Sequence, residues 1–285
     1  MALGAGGFLL AMALLLFSNE QVKQVLCEKS LIQQSHVIAI DPGHGGEDSG
    51  KVSVNNTYEK DINLQIAGKL KKYLESSDVK VVMTREEDKM LCDAGSQHKK
   101  AEDMRNRCSM INQAKPEFTV SIHQNSYTSS EISGAQVFYH TQSKEGKSIA
   151  ECIQKNLITY LDKENKRAAK GNESYYLLKN TESPTVIVEC GFLSNKAEAD
   201  KLETEAYQDQ VAWAIHMSVM EILSKMENKQ IQDINYRKKN ADGNNFDKGR
   251  KGRGMYKACR GVYKRRRSGG IPNGNGLWTW SRCLE

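Results

Sequence analysis

HVIAIDPGHGG, residues 36–46, reads as a short apolar strand running directly into a glycine-rich turn that carries a histidine. A brief β-branched run stopped by Pro and Gly is too short for a helix and suits a buried strand. Working outward, runs of the same kind recur at VKVVMT (79–84), FTVSIH (118–123), AQVFYH (135–140), Tyr175–Leu178 and TVIVEC (185–190). Helical periodicity fills the gaps between them. Ile62, Ile66, Leu70, Tyr73 and Leu74 share one helical face, as do Met104, Cys108 and Ile111, and then Ile149, Ile153, Leu157 and Leu161. A last amphipathic helix through Ala212, Ile215, Val219 and Ile222 is expected to close the domain near Lys225. Strands alternating with helices predict βαβ units and therefore an α/β domain on a mostly parallel sheet, with no internal repeat.

The chain of 285 residues is 39% hydrophobic and 27% charged, ordinary globular usage with length enough for a sizeable core. Its two ends depart from that average. Ala2–Phe17 is almost purely apolar and is followed at once by polar residues, so residues 1–20 read as a signal peptide or membrane anchor and 21–35 as a linker. The folded domain is expected over 36–225. Residues 226–285 hold 15 of the 41 Lys and Arg but only 5 of the 35 acidic residues, a net +10 against −4 for everything before them. That basic tail shows no core and is expected to be disordered. The seven cysteines show neither CxxC pairs nor the density of a stapled scaffold, which argues against disulfide dependence. Cys108, Cys152 and Cys190 fall on apolar faces and read as small core hydrophobes rather than nucleophiles.

Three of the strand-like runs end in residues able to bind a metal or move a proton: the first leads to His44, the third ends at His123 and the last reaches Glu189. In an open parallel sheet the carboxyl ends of the strands share one edge, so these three side chains should converge there. Glu59, opening the first helix after a polar loop, should overhang the same edge. Two imidazoles and one carboxylate with a vacant fourth position is a ligand set of catalytic zinc sites, and the other carboxylate can then deprotonate bound water. Each residue also has a plain alternative: a turn histidine at 44, a carboxylate favoured by a helix N-terminus at 59, a satisfied strand-end histidine at 123. Glu189 is the hardest to dismiss, because a carboxylate closing Val186–Val188 is costly to bury without a partner.

Taken together, DPGHGG (41–46), EK (59–60), SIHQN (121–125) and PTVIVECGFLSN (184–195) resemble the N-acetylmuramoyl-L-alanine amidases of the amidase-3 type. The resemblance spans about residues 36–225 and includes Thr84-Arg85, the segment Met104–Asn112 and Tyr176-Leu177-Leu178. It implies a twisted, mostly parallel six-stranded sheet with helices on both faces in a single zinc-hydrolase domain. It further implies one Zn2+ ion held by His44, Glu59 and His123, with Glu189 as the catalytic carboxylate. The substrate so implied is peptidoglycan, cut between N-acetylmuramic acid and L-alanine. The segment Asn165–Asn180 most resembles the germination-specific, spore-cortex members. That branch implies a role in muramic δ-lactam formation and germination, action outside the cytoplasm in the forespore or cell wall, and an accessory lipoprotein as partner. Nucleic acid is not expected, and membrane contact is expected only through the N-terminal segment. Lys51 departs from the family by replacing a small residue, and the basic tail has no counterpart in it.

Arg167, in a polar loop, and Asn125, just beyond His123, are expected to bind substrate, with Lys170 and Arg85 behind them. His36, His98, His140 and His216 read as structural or surface residues. Two other functions stay open on the residues alone. One is a different wall-directed zinc hydrolase, a peptidase or deacetylase; the other is an anionic-polymer binding module built on Lys264–Arg267 with Trp278 and Trp280.

Overall fold

The computed structural model describes residues 36–243. The expected export segment and linker, and the tail beyond Gly243, lie outside the described residues. Six strands form one sheet: β1 (Val37–Pro42), β2 (Lys80–Met83), β3 (Phe118–Asn125), β4 (Gln136–His140), β5 (Lys170–Asn172) and β6 (Thr185–Phe192), in the order β2-β1-β3-β6-β4-β5. All neighbours are parallel except β4 against β6. The mostly parallel six-stranded α/β expectation holds. The helices are α1 (Glu59–Glu75), α2 (Lys99–Ala114), α3 (Lys144–Tyr160), α4 (Tyr176–Asn180), α5 (Lys196–Leu202) and α6 (Glu205–Gly243).

Strand alternation sends successive side chains to opposite faces, and both faces are covered. Ile38, Ile40, Val120, Ile122, Val186 and Val188 join the main core with Ile62, Ile66, Leu70 and Leu74 of α1, Ile149 and Ile153 of α3, and Ile215 and Val219 of α6. On the other face Ala39 packs with Cys108 and Ile111 of α2, and Ile187 with Phe138 and Leu178. This second face is thinly apolar. Asp41, Ser121 and Glu189 interrupt it at the strand ends, which is where a site can open. The apolar residues expected on α1, α2 and α3 are indeed the packed ones, and the cysteines at 108 and 190 are buried and free.

One expected strand needs correction, and two elements were not expected. Tyr175–Leu178 is not a strand, because residues 176–180 form α4. Leu177 and Leu178, adjacent in sequence, are both buried but in different clusters, which a helical turn wedged over the sheet permits. The true fifth strand, KGN at 170–172, is an edge strand paired only with β4 and carries no apolar signal. Helix α5 was not read from sequence; its start is set by Asn195, whose side chain accepts from the Glu198 amide at 3.1 Å.

The last helix does not stop near Lys225 but continues to Gly243, so the first part of the segment expected to be disordered is helical. Met226 packs on the main core and Glu227 Oε1 lies 2.8 Å from His36 Nε2, contacts that carry the helix past the expected boundary. One compact unit extends to Lys229 and a second begins at Gln230, of which helical residues up to Gly243 are described. Among the described residues no helix is long and apolar enough to cross a membrane.

Candidate metal centre

The site is assembled at the carboxyl ends of β1, β3 and β6. His123 and Glu189 are register partners on the adjacent parallel strands β3 and β6, so they share one face of the sheet. After β1 the chain turns sharply, held by the Gly43 amide donating to the Ile122 carbonyl at 3.0 Å, and His44 takes a left-handed φ of 63°. Two glycines let backbone pass close to the cluster. A Cβ at Gly43 would sit 2.2 Å from the His123 ring, and one at Gly50, where φ is +68°, would sit 2.6 Å from Glu59 Oε2 and 2.7 Å from the His44 ring.

One ligand atom from each of His44, Glu59 and His123 lies within 4.8 Å of the others, an arrangement able to hold a metal ion. The set also fits zinc by chemistry, two imidazole nitrogens and one carboxylate with room for a further ligand. Glu59, 1% exposed, is the hub. Its Oε1 accepts from His123 Nδ1 at 2.9 Å and from the Gln124 amide at 3.0 Å, while its Oε2 accepts from the Lys51 amide at 2.8 Å and lies 3.2 Å from His44 Nε2. Because Lys51 contributes its backbone and its side chain is exposed, its departure from the family pattern leaves this contact intact. The remaining nitrogen of His44, Nδ1, is 2.8 Å from Asp48 Oδ2, an outer carboxylate that fixes the ring.

The electrostatics follow these contacts. Burial, the largest single influence on Glu59, opposes ionisation, yet hydrogen bonds from His123 and His44 outweigh it and hold the carboxyl far below the ordinary range. Burial likewise opposes charging of His44, but Asp48 and Glu59 raise it to about 9. His123 is raised against its burial by Glu59. Glu189 differs from Glu59: burial dominates and pushes it up to about 7. Its Oε2 is buried with no hydrogen-bond partner among the described residues.

A cavity of about 130 Å³ opens beside these groups. His44, His123 and Glu189 line it together with Lys100, Met104 and Leu177, and the two tyrosines Tyr175 and Tyr176. Lys100 and Met104 of α2, and Tyr175, Tyr176 and Leu177 at the start of α4, were not expected as site residues, and a strand reading of Tyr175–Leu178 could not place the latter three there. Arg167 and Asn125 are not among the lining residues. The Arg167 guanidinium donates to the Ser133 carbonyl at 2.7 Å and to Gln136 at 3.1 Å and lies 4.7 Å over the Phe192 ring. Asn125 Oδ1 accepts from the Ser126 amide at 2.8 Å, and its carbonyl accepts from Leu193. Lys170 lies on the edge strand, and Arg85 is buried behind the turn bearing His44; neither lines the cavity. His36 and His216 make structural contacts, to Glu117 and Glu227 and to Ser77 respectively.

Two imidazoles and two carboxylates meeting over the carboxyl edge of an open α/β sheet define a hydrolase-type domain with a candidate divalent-metal centre. The family comparison is specific. Residues 38–221 match the model for N-acetylmuramoyl-L-alanine amidase, and the chain belongs to that family. It is similar to the germination-specific N-acetylmuramoyl-L-alanine amidase of Bacillus subtilis, 39% identical over 194 residues covering 67% of this chain and 81% of the relative. Among solved structures it is similar to the CwlD amidase of Clostridioides difficile in complex with the GerS lipoprotein, with 39% identity, a TM-score of 0.65, and coverage of 67% of this chain and 99% of that one. An N-acetylmuramoyl-L-alanine amidase from Clostridium difficile 630 matches at 32% identity with a TM-score of 0.61, over 67% of this chain and 98% of that one. The chain is accordingly an enzyme of the cell wall, an amidase of peptidoglycan.

Proposed function

We propose that this amidase is zinc-dependent, with His44, Glu59 and His123 as ligands and Glu189 as the residue that moves the proton, and that it acts on spore-cortex peptidoglycan. One observation carries the reading: three potential ligand atoms lie within 4.8 Å of one another, beside a buried carboxylate oxygen that has no hydrogen-bond partner among the described residues. Bound zinc would supply Lewis acidity towards the lactyl carbonyl and a water of lowered pKa. Glu189 accepts the proton of the attacking water as the carbon–oxygen bond forms. The same carboxyl then delivers that proton to the alanine nitrogen as the carbon–nitrogen bond breaks, releasing a free peptide amino terminus and a muramoyl carboxylate. Asp48 keeps the His44 ring in orientation throughout.

The cortex assignment is supported by the similarity to the germination-specific relative, which also supports extracytoplasmic action and, with residues 1–20 as signal or anchor, an exported enzyme. An accessory lipoprotein partner is supported by the solved complex of the clostridial amidase with GerS. The cavity-lining Tyr175, Met104 and Lys100 are better placed than Arg167 and Asn125 to touch the muropeptide near the scissile bond. Metal analysis combined with mass spectrometry of muropeptide digests tests the whole reading. One zinc per chain and new L-alanine amino termini are expected; acetate release or cleavage within the stem peptide would replace it with a deacetylase or peptidase.

A further inference from the structure

Two arginines outside the ligand set, Arg85 after β2 and Arg107 on α2, are buried to 2% and 1% exposure. Their donors converge on the turn that presents His44. Arg107 Nη1 donates to Asp41 Oδ1 and to the Pro42 carbonyl, both at 2.8 Å, and Nη2 donates to the His44 carbonyl at 2.7 Å. Arg85 Nε donates to the Pro42 carbonyl at 3.0 Å, and its Nη2 to the carbonyls of Gly43 at 3.1 Å and Lys60 at 2.8 Å. Three consecutive carbonyls, 42 to 44, are thus gripped by two cations from different elements.

Arg107 is neutralised by the buried carboxylates of Asp41 and Asp103, at 2.8 and 2.7 Å, but Arg85 adds a second buried cation that makes its hydrogen bonds to backbone carbonyls, a cost that a turn needing only to be filled would not require. The turn has a reason to relax. His44 is a non-glycine residue at φ 63°, a conformation that persists only where surrounding structure imposes it. Release of the carbonyls would let the backbone swing towards ordinary φ and carry the imidazole away from Glu59 and His123, while the Asp48 contact holds the ring only relative to its own loop. A planar fork serves several fixed acceptors at once, which an ammonium cannot.

We infer that Arg85 and Arg107 are positioning residues, a two-guanidinium clamp that fixes the left-handed turn at His44 and so sets the affinity of the site for its divalent metal. The inference rests on the zinc reading above. The test uses the full chain, with zinc affinity measured by competition against a chelator of known strength, alongside thermal stability. Arg107→Lys should weaken zinc binding by about 10–100-fold, the range of outer-shell losses. Arg85→Lys, which leaves the Asp41–Arg107 pair intact, should weaken it in the same direction and carries the test if Arg107→Lys does not fold. Leu157→Ala, in the core contributed by α3, is the stability control: it should lower the melting temperature yet bind zinc as the parent does. The clamp is refuted if folded lysine variants bind zinc like the parent, or if the Leu157 variant loses as much affinity as they do. A parent that binds no zinc overturns the metal reading and the clamp together, whereas a parent that binds zinc alongside unaffected lysine variants overturns the clamp alone.

Discussion

Glu59 and Glu189 are both buried carboxylates at one sheet edge, and their surroundings give them opposite tendencies. Glu59 is saturated with donors, whereas Glu189, which lines the cavity, has a buried oxygen with no hydrogen-bond partner among the described residues. Glu189→Gln should therefore keep the ligand set intact, retaining zinc while turnover drops by roughly 10²–10⁴-fold, the usual weight of a general acid–base group; metal analysis of the same sample used for the rate makes the two readouts comparable. His44→Ala should lose both. A quieter variant probes the space around the ligands: Gly50→Ala places a methyl 2.6 Å from Glu59 Oε2 at a φ of +68°. Its backbone cost alone is about 1–2 kcal/mol, and zinc affinity should fall with it. At this scale the sequence placed His44, Glu59, His123 and Glu189 together because histidines and carboxylates at strand and helix ends are chemically distinctive and the carboxyl edge of a parallel sheet gathers what lies far apart. Arg167 was the harder residue to read, because an arginine in a polar loop looks the same whether it meets substrate or packs over Phe192 and holds the Ser133 loop, the contacts it makes in this structure.

Among the elements, legibility followed burial. Strands β1, β3 and β6 are covered on both faces and announce themselves as continuous apolar runs, whereas β5 is an edge strand of Lys, Gly and Asn that no hydrophobic pattern could reveal. Helix α4 was mistaken for a strand because its short apolar pair is equally compatible with either period. The consequence is functional, since α4 and the residue before it bring Tyr175, Tyr176 and Leu177 to the cavity wall. Helix α3, by contrast, shows a clean stripe and lies in the main core away from the ligands. Ile153→Ala there, at a fully buried position, should cost about 2–5 kcal/mol of unfolding free energy. Activity per folded molecule should stay at the parent level, a pairing of denaturation and kinetics that would expose any hidden coupling between core and site.

For the molecule as a whole, the composition break at Met226 marked a change in charge but not the end of folded structure. The signal was misleading because a helix can become basic and polar while its inner face still packs, as Met226 does. Glu227 adds a polar tie to His36, which Glu117 also contacts at the opposite end of β1 from the catalytic edge. A chain ended at Lys225 should then be less stable than one ended at Gly243, by about 1 kcal/mol for the lost Met226 packing, or roughly 2–4 °C in melting temperature for a domain of this size. The pH dependence has a definite sign. Burial works against charging His36, but the hydrogen bonds to Glu227 and Glu117 prevail and raise it above its ordinary 6.5. A raised folded value means that the stabilisation is complete below pH 6.5 and fades as pH climbs through the higher folded value. The difference in melting temperature between the two chains should accordingly be larger at pH 6 than at pH 9, with Met226 supplying the part that does not change. If the difference is the same at both pH values, the His36–Glu227 tie contributes nothing and the helix extends past Lys225 on apolar contact alone.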